Sequence, residues 1–228
     1  MTLPAIINTA RTLSYYSTLQ DITANNLANA SSDGYKADRV TVHAGSGNSN
    51  PVPVQSIDLR QADLRDTNRP LDIALQGNGY TVVQTPDGER LTRGGSMEIS
   101  PAGILVDRHG NPVLGVDGPI NVAGNKVEID PSGNVIVDGA RAGQLRLATV
   151  DDPTTLTKQG KGMFIASTPL TAATDVGVHQ GALEESNVSP LLGSVDLIMI
   201  QRAYASGVDA LRVMDGVLSV VANDIGRV

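Results

Sequence analysis

His43, His109 and His179 are the side chains of this chain best suited to proton transfer or metal ligation near neutral pH. They fall in separate predicted loops without ligand-like spacing, where an isolated histidine is ordinarily solvated. No H-E-x-x-H, G-x-S-x-G or phosphate-cradling glycine loop is present. Cysteine is absent, which excludes disulfides, thiol catalysis and thiolate metal sites. Gly77-Asn78-Gly79 begins like a dinucleotide loop, but Val82 stands where the third glycine belongs and a strand pattern follows, so it reads as a turn. Carboxylates gather at Asp63, Asp66 and Asp72 and at Asp151-Asp152, without the regular oxygen spacing around a glycine that a calcium loop needs. No carboxylate pair suited to glycosidic hydrolysis stands out, so a peptidoglycan hydrolase has no visible machinery here. Two glycosylation-like runs, Asn29-Ala30-Ser31 and Asn187-Val188-Ser189, abut predicted helix ends, where Asn and Ser belong anyway. The reading is a chain with no catalytic residue, no cofactor and no metal.

What remains must act by shape and surface. A net charge of −7 disfavours nucleic acid or an anionic membrane as the main partner, since both call for a basic face. Aromatic content of 3%, with 24 Gly and 12 Pro, favours short strands and tight turns over an aromatic-lined pocket. The N-terminal residues lack the basic and apolar regions of a secretory signal, and no apolar run reaches the roughly 18 residues of a membrane span. The expectation is a cytoplasmic protein, or one exported without a cleaved signal.

The strongest pattern is C-terminal. Leu197, Tyr204, Leu211, Leu218 and Ile225 recur every seven residues, and Ile200, Gly207, Met214, Val221 and Val228 form a second series three places on. Two such series are the seam of a coiled coil, because an apolar contact every 3.5 residues stays covered only against another helix. At the other end, Leu3, Ile6, Ala10 and Leu13 keep 3/4 spacing before Ser17 and Gln20 interrupt it, and Ala24 and Leu27 resume it. Pro4 suits a first helical turn, and the helix should stop near Ser31-Ser32-Asp33-Gly34. Asn25, Asn26 and Asn29 are poor helix formers near that end. Either the turn frays, or their amides bond across a helix–helix contact and fix its register.

Between the helices the polar stretch 36–70 reads as an extended connector, with short strands at Arg39–His43 and Val54–Leu59 and a flexible run at Gly45–Pro51. From 71 to about 168 the period is two, within a β domain read as 71–183. Strands are predicted around Leu71–Leu75, Tyr80–Val83, Ile104–Val106, Val127–Ile129, Val135–Val137, Leu145–Val150 and Met163–Ile165. Pro86-Asp87-Gly88, Asp107–Asn111, Pro131–Asn134 and Asp138-Gly139 supply turns. Strands at such spacing mean an antiparallel sandwich or barrel-like body. Ser189-Pro190 then suits a helix start, giving 184–228 as a C-terminal helical region beside 1–35 at the N-terminus. The expected fold is mixed and mainly β, an antiparallel β domain inserted between terminal helices that pair as a coiled coil.

Three separated stretches carry a family likeness. Asn25-Asn26-Leu27-Ala28-Asn29 followed by Gly34-Tyr35-Lys36 resembles the N-terminal motif of the bacterial flagellar rod and hook proteins. Gly181–Val188, with Gln201-Arg202-Ala203-Tyr204 beyond it, is similar to that family's C-terminal motif. Pro70–Tyr80, Thr92–Ser96 and Gly110–Gly115 resemble its shared β domain, although Tyr80-Thr81, Gly94 and Met97 depart from the common residues there. The short length and single β body are most similar to the proximal position on the rod, with the distal position or a rod-like hook subunit next. The resemblance implies a structural subunit of the flagellar basal body. It would leave the cytoplasm through the flagellar export apparatus and polymerise with copies of itself and other rod proteins into a periplasm-spanning tube. Leu3, Ile6, Leu13, Asn25, Asn26, Leu27, Asn29, Leu197, Ile200, Tyr204, Leu211, Met214, Leu218, Val221 and Ile225 would then form its helix interfaces. The competing reading is a soluble oligomeric binding module whose β domain holds a ligand.

Overall fold

Tight turns of one recurring design shape the β region. At Ser100, Asp107 and Asp130 the backbone N–H donates to the carbonyl four residues on, that of Ile104, Asn111 or Asn134, at 2.9, 2.9 and 3.0 Å. The third residue of each loop, Gly103, Gly110 or Gly133, has φ near +80° (+76°, +81° and +79°), a conformation that side-chain-bearing residues avoid. Asp107 and Asp130 brace their loops from within. Each carboxylate accepts backbone N–H groups two and four residues on at 2.8–2.9 Å, and an Asn side chain caps its second oxygen. The Asn134 side-chain and backbone donors accordingly hold the Asp130 carboxyl below its ordinary value.

The computed structural model describes residues 2–43, 52–124 and 126–225, with side chains for 5–41, 54–124 and 126–219. The 45–51 run and Val228 lie outside the described residues, as do the side chains of Leu3, Val221 and Ile225. Residues 1–30, 38–56 and 188–228 make one compact unit, and 31–37 with 57–187 make a second.

In the first unit, helices α1 (Thr2–Ala28) and α2 (Pro190–Ile225) lie side by side with a hairpin of β1 (Asp38–His43) and β2 (Val52–Ile57). Pro190 begins α2 where its missing N–H is harmless, and the Ser189 carbonyl accepts the Gly193 N–H at 2.9 Å. None of the described helices is long and apolar enough to cross a membrane.

The second unit runs through β3 (Leu64–Asp66), β4 (Asp72–Gln76), β5 (Tyr80–Thr85), β6 (Gly88–Thr92), β7 (Gly94–Ile99), β8 (Leu105–Asp107), β9 (Leu114–Gly115), β10 (Gly118–Pro119), β11 (Val127–Ile129), β12 (Asn134–Val137), β13 (Ala140–Gln144), β14 (Leu147–Thr149), β15 (Leu156–Lys158), β16 (Met163–Ala166), β17 (Thr171–Ala172), β18 (Gly177–Gln180) and β19 (Ala182–Glu184). Its sheets are antiparallel, in the orders β15-β16-β6-β5-β14-β17, β18-β4-β7-β8, β11-β12-β13, β10-β9 and β19-β3. Alternation along β5 serves two cores at once. Val83 joins Ile73, Leu75, Leu105 and Val135 on one side, while Tyr80 and Val82 join Leu91, Ala148 and Phe164 on the other. The chain is thus mixed and mainly antiparallel β, with one helix near each end.

β7 leaves no room for a side chain at its start. Gly94 has φ +94°, and a β-carbon placed there would lie 2.5 Å from the Ile73 carbonyl oxygen across the β4–β7 pair. Gly94→Ala should therefore destabilise the second unit by about 1–3 kcal/mol, from backbone strain and displacement of β4. Urea denaturation followed by β-unit fluorescence or circular dichroism checks this, and an unchanged midpoint would contradict it.

Candidate functional site

Three charged residues far apart in sequence meet in the interior of the second unit. Lys36 follows Gly34, whose φ of +67° turns the chain inward; Arg93 links β6 to β7; Glu184 ends β19. Their exposures are 0%, 4% and 2%, so each charge has lost its water and must find partners in protein. Glu184 supplies them. One of its oxygens accepts the Lys36 ammonium at 2.5 Å and the Ala62 N–H at 3.0 Å, and the other accepts the Arg93 Nε–H at 2.9 Å. The rest of the Arg93 guanidinium donates to the carbonyls of Gly77, Gly79 and Leu75 at 2.8, 2.6 and 3.2 Å, and stacks over the Tyr80 ring at 5.7 Å. Gly77-Asn78-Gly79 is thus a turn whose carbonyls collect an arginine. Side chains on its glycines would strike the Asp175 carbonyl and Val176.

Lys36 donates also to the Arg60 carbonyl at 2.7 Å. Nearby, the Arg60 guanidinium grips the nearly buried Asp58 carboxylate at 2.8 and 2.9 Å. With two cations around Glu184, the site is short of negative charge. Burial pushes the Lys36 ammonium below its ordinary value of 10.5, Arg93 adds to that push, and Glu184 opposes it by hydrogen bond and charge. Burial likewise raises the Tyr80 phenol.

Around this cluster the second unit ties together the segments by which the chain enters and leaves it. Glu184 accepts the Gly34 N–H through its carbonyl at 2.6 Å, Ala37 accepts the Asp58 N–H at 2.8 Å, and the Asn187 side chain accepts the Ala37 N–H at 2.7 Å while donating to the Asp58 carbonyl at 2.7 Å. Residues 31–37, the run after 57 and the run up to 187 are therefore one bonded knot. Sequence reading missed Lys36, Arg93 and Glu184 as a group. The available signal was that each lies within one of the motif stretches Gly34–Lys36, Thr92–Ser96 and Gly181–Val188, which does not say that they meet.

The helix residues named from sequence lie in the first unit. On α2, Leu197, Ile200, Gly207, Leu211, Met214 and Leu218 are half-buried, whereas Tyr204 is 38% exposed and Ala203 takes its place on the shielded face. The helices run antiparallel. Leu13 lies against Gly207 and Leu27 beside Gly193, so both chains advance two heptads between contacts. A β-carbon on Gly207 would come within 2.7 Å of Leu13, and where the helices approach this closely the small Ala203 fits and the tyrosine lies at the edge. On α1 the half-buried stripe is Ile6, Thr9, Leu13, Tyr16, Gln20, Thr23 and Leu27, with Ala10, Ser17 and Ala24 exposed. Asn26 is reciprocally bonded to β1: its amide donates to the Asp38 carbonyl at 2.8 Å and its oxygen accepts the Asp38 N–H at 2.9 Å. The Asn29 amide donates to the Asn25 carbonyl at 2.9 Å, a local bond within the helix end, and Asn25 itself is exposed.

Comparison with known proteins matches three family models along the chain: a flagella basal-body rod protein model at residues 8–36, the flagellar hook protein FlgE/F/G D1 domain at 74–137, and the flagellar basal-body rod FlgEFG protein C-terminal model at 179–225. Among curated relatives, the flagellar basal-body rod protein FlgF of Caulobacter vibrioides is 34% identical over 209 residues, covering 82% of this chain and 83% of its own. The FlgF of Salmonella typhimurium is 31% identical over 218 residues, covering 81% and 83%. FlgG of Buchnera aphidicola from Acyrthosiphon pisum is 29% identical over 240 residues, covering 87% and 90%.

Removing the anion at the centre of the knot should hurt most. Glu184→Gln leaves two buried cations without their carboxylate and should cost about 3–5 kcal/mol, whereas Lys36→Met leaves the Glu184–Arg93 pair intact and should cost less. Denaturant titration ranks the two, and an equal or reversed order would contradict the arrangement. The lowered Lys36 value also fixes a sign. Between that value and 10.5 the unfolded chain binds more protons than the folded one, so this group's contribution to stability rises with pH there and is constant below. The stability difference between the parent chain and Lys36→Met should move in the parent's favour as pH climbs towards 10.5; movement the other way refutes the assignment.

Proposed function

Because the chain belongs to the flagellar basal-body rod protein family and is a structural component of the basal body, we propose that it polymerises with its own copies and other rod proteins into the helical axial tube that transmits torque, at the proximal position. The FlgF relatives support that position, with the distal one next. The role is mechanical, with no catalytic step and no cofactor. In this reading α1 and α2 pair as a coiled coil, the subunit crosses the periplasm as part of the rod, and it reaches that place through the flagellar export apparatus without a cleaved signal.

The observation that carries the polymerisation reading is apolar surface that remains on α2 beside α1. Leu191 and Leu192 are 75% and 64% exposed, Val195, Ile198 and Met199 are about half exposed, and Val213 and Val217 repeat the pattern further on. At about 25 cal/mol per Å² of apolar area, covering such a face with a neighbour's helix is a sufficient drive for assembly. Contacts that do not close into a ring extend into a helix of subunits. Leu3, Ile6, Leu13, Leu197, Ile200, Tyr204, Leu211, Met214, Leu218, Val221 and Ile225, with Asn25, Asn26, Leu27 and Asn29, are the residues we assign to the helix seams that present this face.

Leu211→Asp should abolish rod assembly and motility while the β unit keeps its denaturation midpoint. Wild-type motility with intact rods in that variant would refute the proposal. Sedimentation of the parent chain separates the alternatives: monomer passing to filament supports a rod subunit, and a fixed small oligomer supports a soluble binding module.

A further inference from the structure

The face of β4 turned away from the core carries a buried carboxylate to which nothing in the unit donates a hydrogen bond. Ile73 and Leu75 point into the core, so Asp72 and Ala74 point the other way. Asp72 is 1% exposed, and neither of its carboxylate oxygens accepts a hydrogen bond. Its nearest cation is Arg69 at 3.8 Å, a side chain 63% exposed and beyond hydrogen-bond reach. Asp72 and Arg69 line an open groove of about 690 Å³ in the second unit. The groove's other arginines are already engaged: Arg65 binds Asp33, itself on the groove lining, at 3.0 Å and Glu185 at 3.3 Å, and Arg108 binds the same Asp33 at 3.4 Å. On the same rim Asp66 and Glu98 are exposed and, among the described residues, have no ion pair. The groove therefore holds more negative charge than its own arginines neutralise, and its most buried carboxylate lacks a donor.

We propose that this groove receives one cationic side chain, an arginine or lysine, from a loop of a neighbouring protein chain, with Asp72 as its buried anion and Glu98 and Asp66 as its rim. A buried carboxylate gains most from a donor that reaches hydrogen-bond distance, and a guanidinium fork fits two oxygens at once. Arg69 occupies the approach without completing the bond, so it acts as a resident competitor that the incoming cation displaces. That the neighbour is another rod subunit rests on the assembly reading above; the groove's preference for a cation does not.

The test is a nuclear magnetic resonance titration of the full chain with N-acetyl-L-arginine amide. The expected result is saturable shifts at the amides of Arg69, Asp72 and Ser96, lost in Asp72→Asn and weakened several-fold in Glu98→Gln. Arg69→Ala should tighten binding several-fold, a gain that a nonspecific surface effect or a folding defect does not produce. Shifts that persist in Asp72→Asn, weaker binding in Arg69→Ala, or the same shifts with inorganic phosphate in place of the arginine derivative would overturn the proposal. Because the probe is a small molecule, failure of rod assembly has no bearing on the outcome.

Discussion

Glu184 is one anion held between two cations in a place without water, and the second unit is organised around making that arrangement tolerable. Its donors come from three distant parts of the chain, Lys36 before the body of the β unit, the Ala62 N–H and Arg93 between β6 and β7, and the carbonyls of Gly77 and Gly79 take up other guanidinium donors of Arg93. A buried ion pair is a weak source of net stability, because its attraction largely offsets the loss of hydration. Its stronger effect is on alternatives. Any arrangement that separates Lys36, Arg93 and Glu184 leaves an uncompensated charge in the interior, so the pairing selects one way for the entering and leaving segments to lie.

That selection bears on a mechanical role. The chain passes between its two units near residues 30, 37, 56 and 187, so any load passed along the backbone from the helices to the β unit runs through those four links. On the β side the links are bonded to one another through Gly34, Ala37, Asp58, Glu184 and Asn187. Glu184, one member of that set, is held in turn to the sheet through Arg93. Within the helical unit the contact is of another kind: Leu13 lies against Gly207 and, two heptads on, Leu27 beside Gly193.

Much of this was legible in the residues. The α2 heptads from Leu197 to Leu218, Tyr204 excepted, mark its shielded face, and the strand runs at Tyr80–Val83, Val127–Ile129 and Val135–Val137 lie within observed strands because alternation and Gly/Asn turns are local properties. Where packing decides, the pattern misleads. On α1 an apolar rule selects Ala10 and Ala24, yet the shielded positions are Thr9, Tyr16 and Thr23, whose larger side chains reach across the contact. The asparagines looked like register-setting groups between helices, and Asn26 instead fastens the first residue of β1, a partner 12 positions away that periodicity does not encode. The charged knot was invisible for the same reason. Lys36 and Glu184 are 148 residues apart, and each alone reads as an ordinary surface charge.

Native-state hydrogen exchange on the full chain tests the central claim most directly. The account predicts that the amides of Gly34, Ala37, Asp58 and Asn187 exchange only with global opening of the β unit, at the same free energy as core amides of β4 and β5. If Ala37 and Asn187 exchange rapidly while β4 and β5 stay protected, the segments are not tied through the buried charges and the account is wrong.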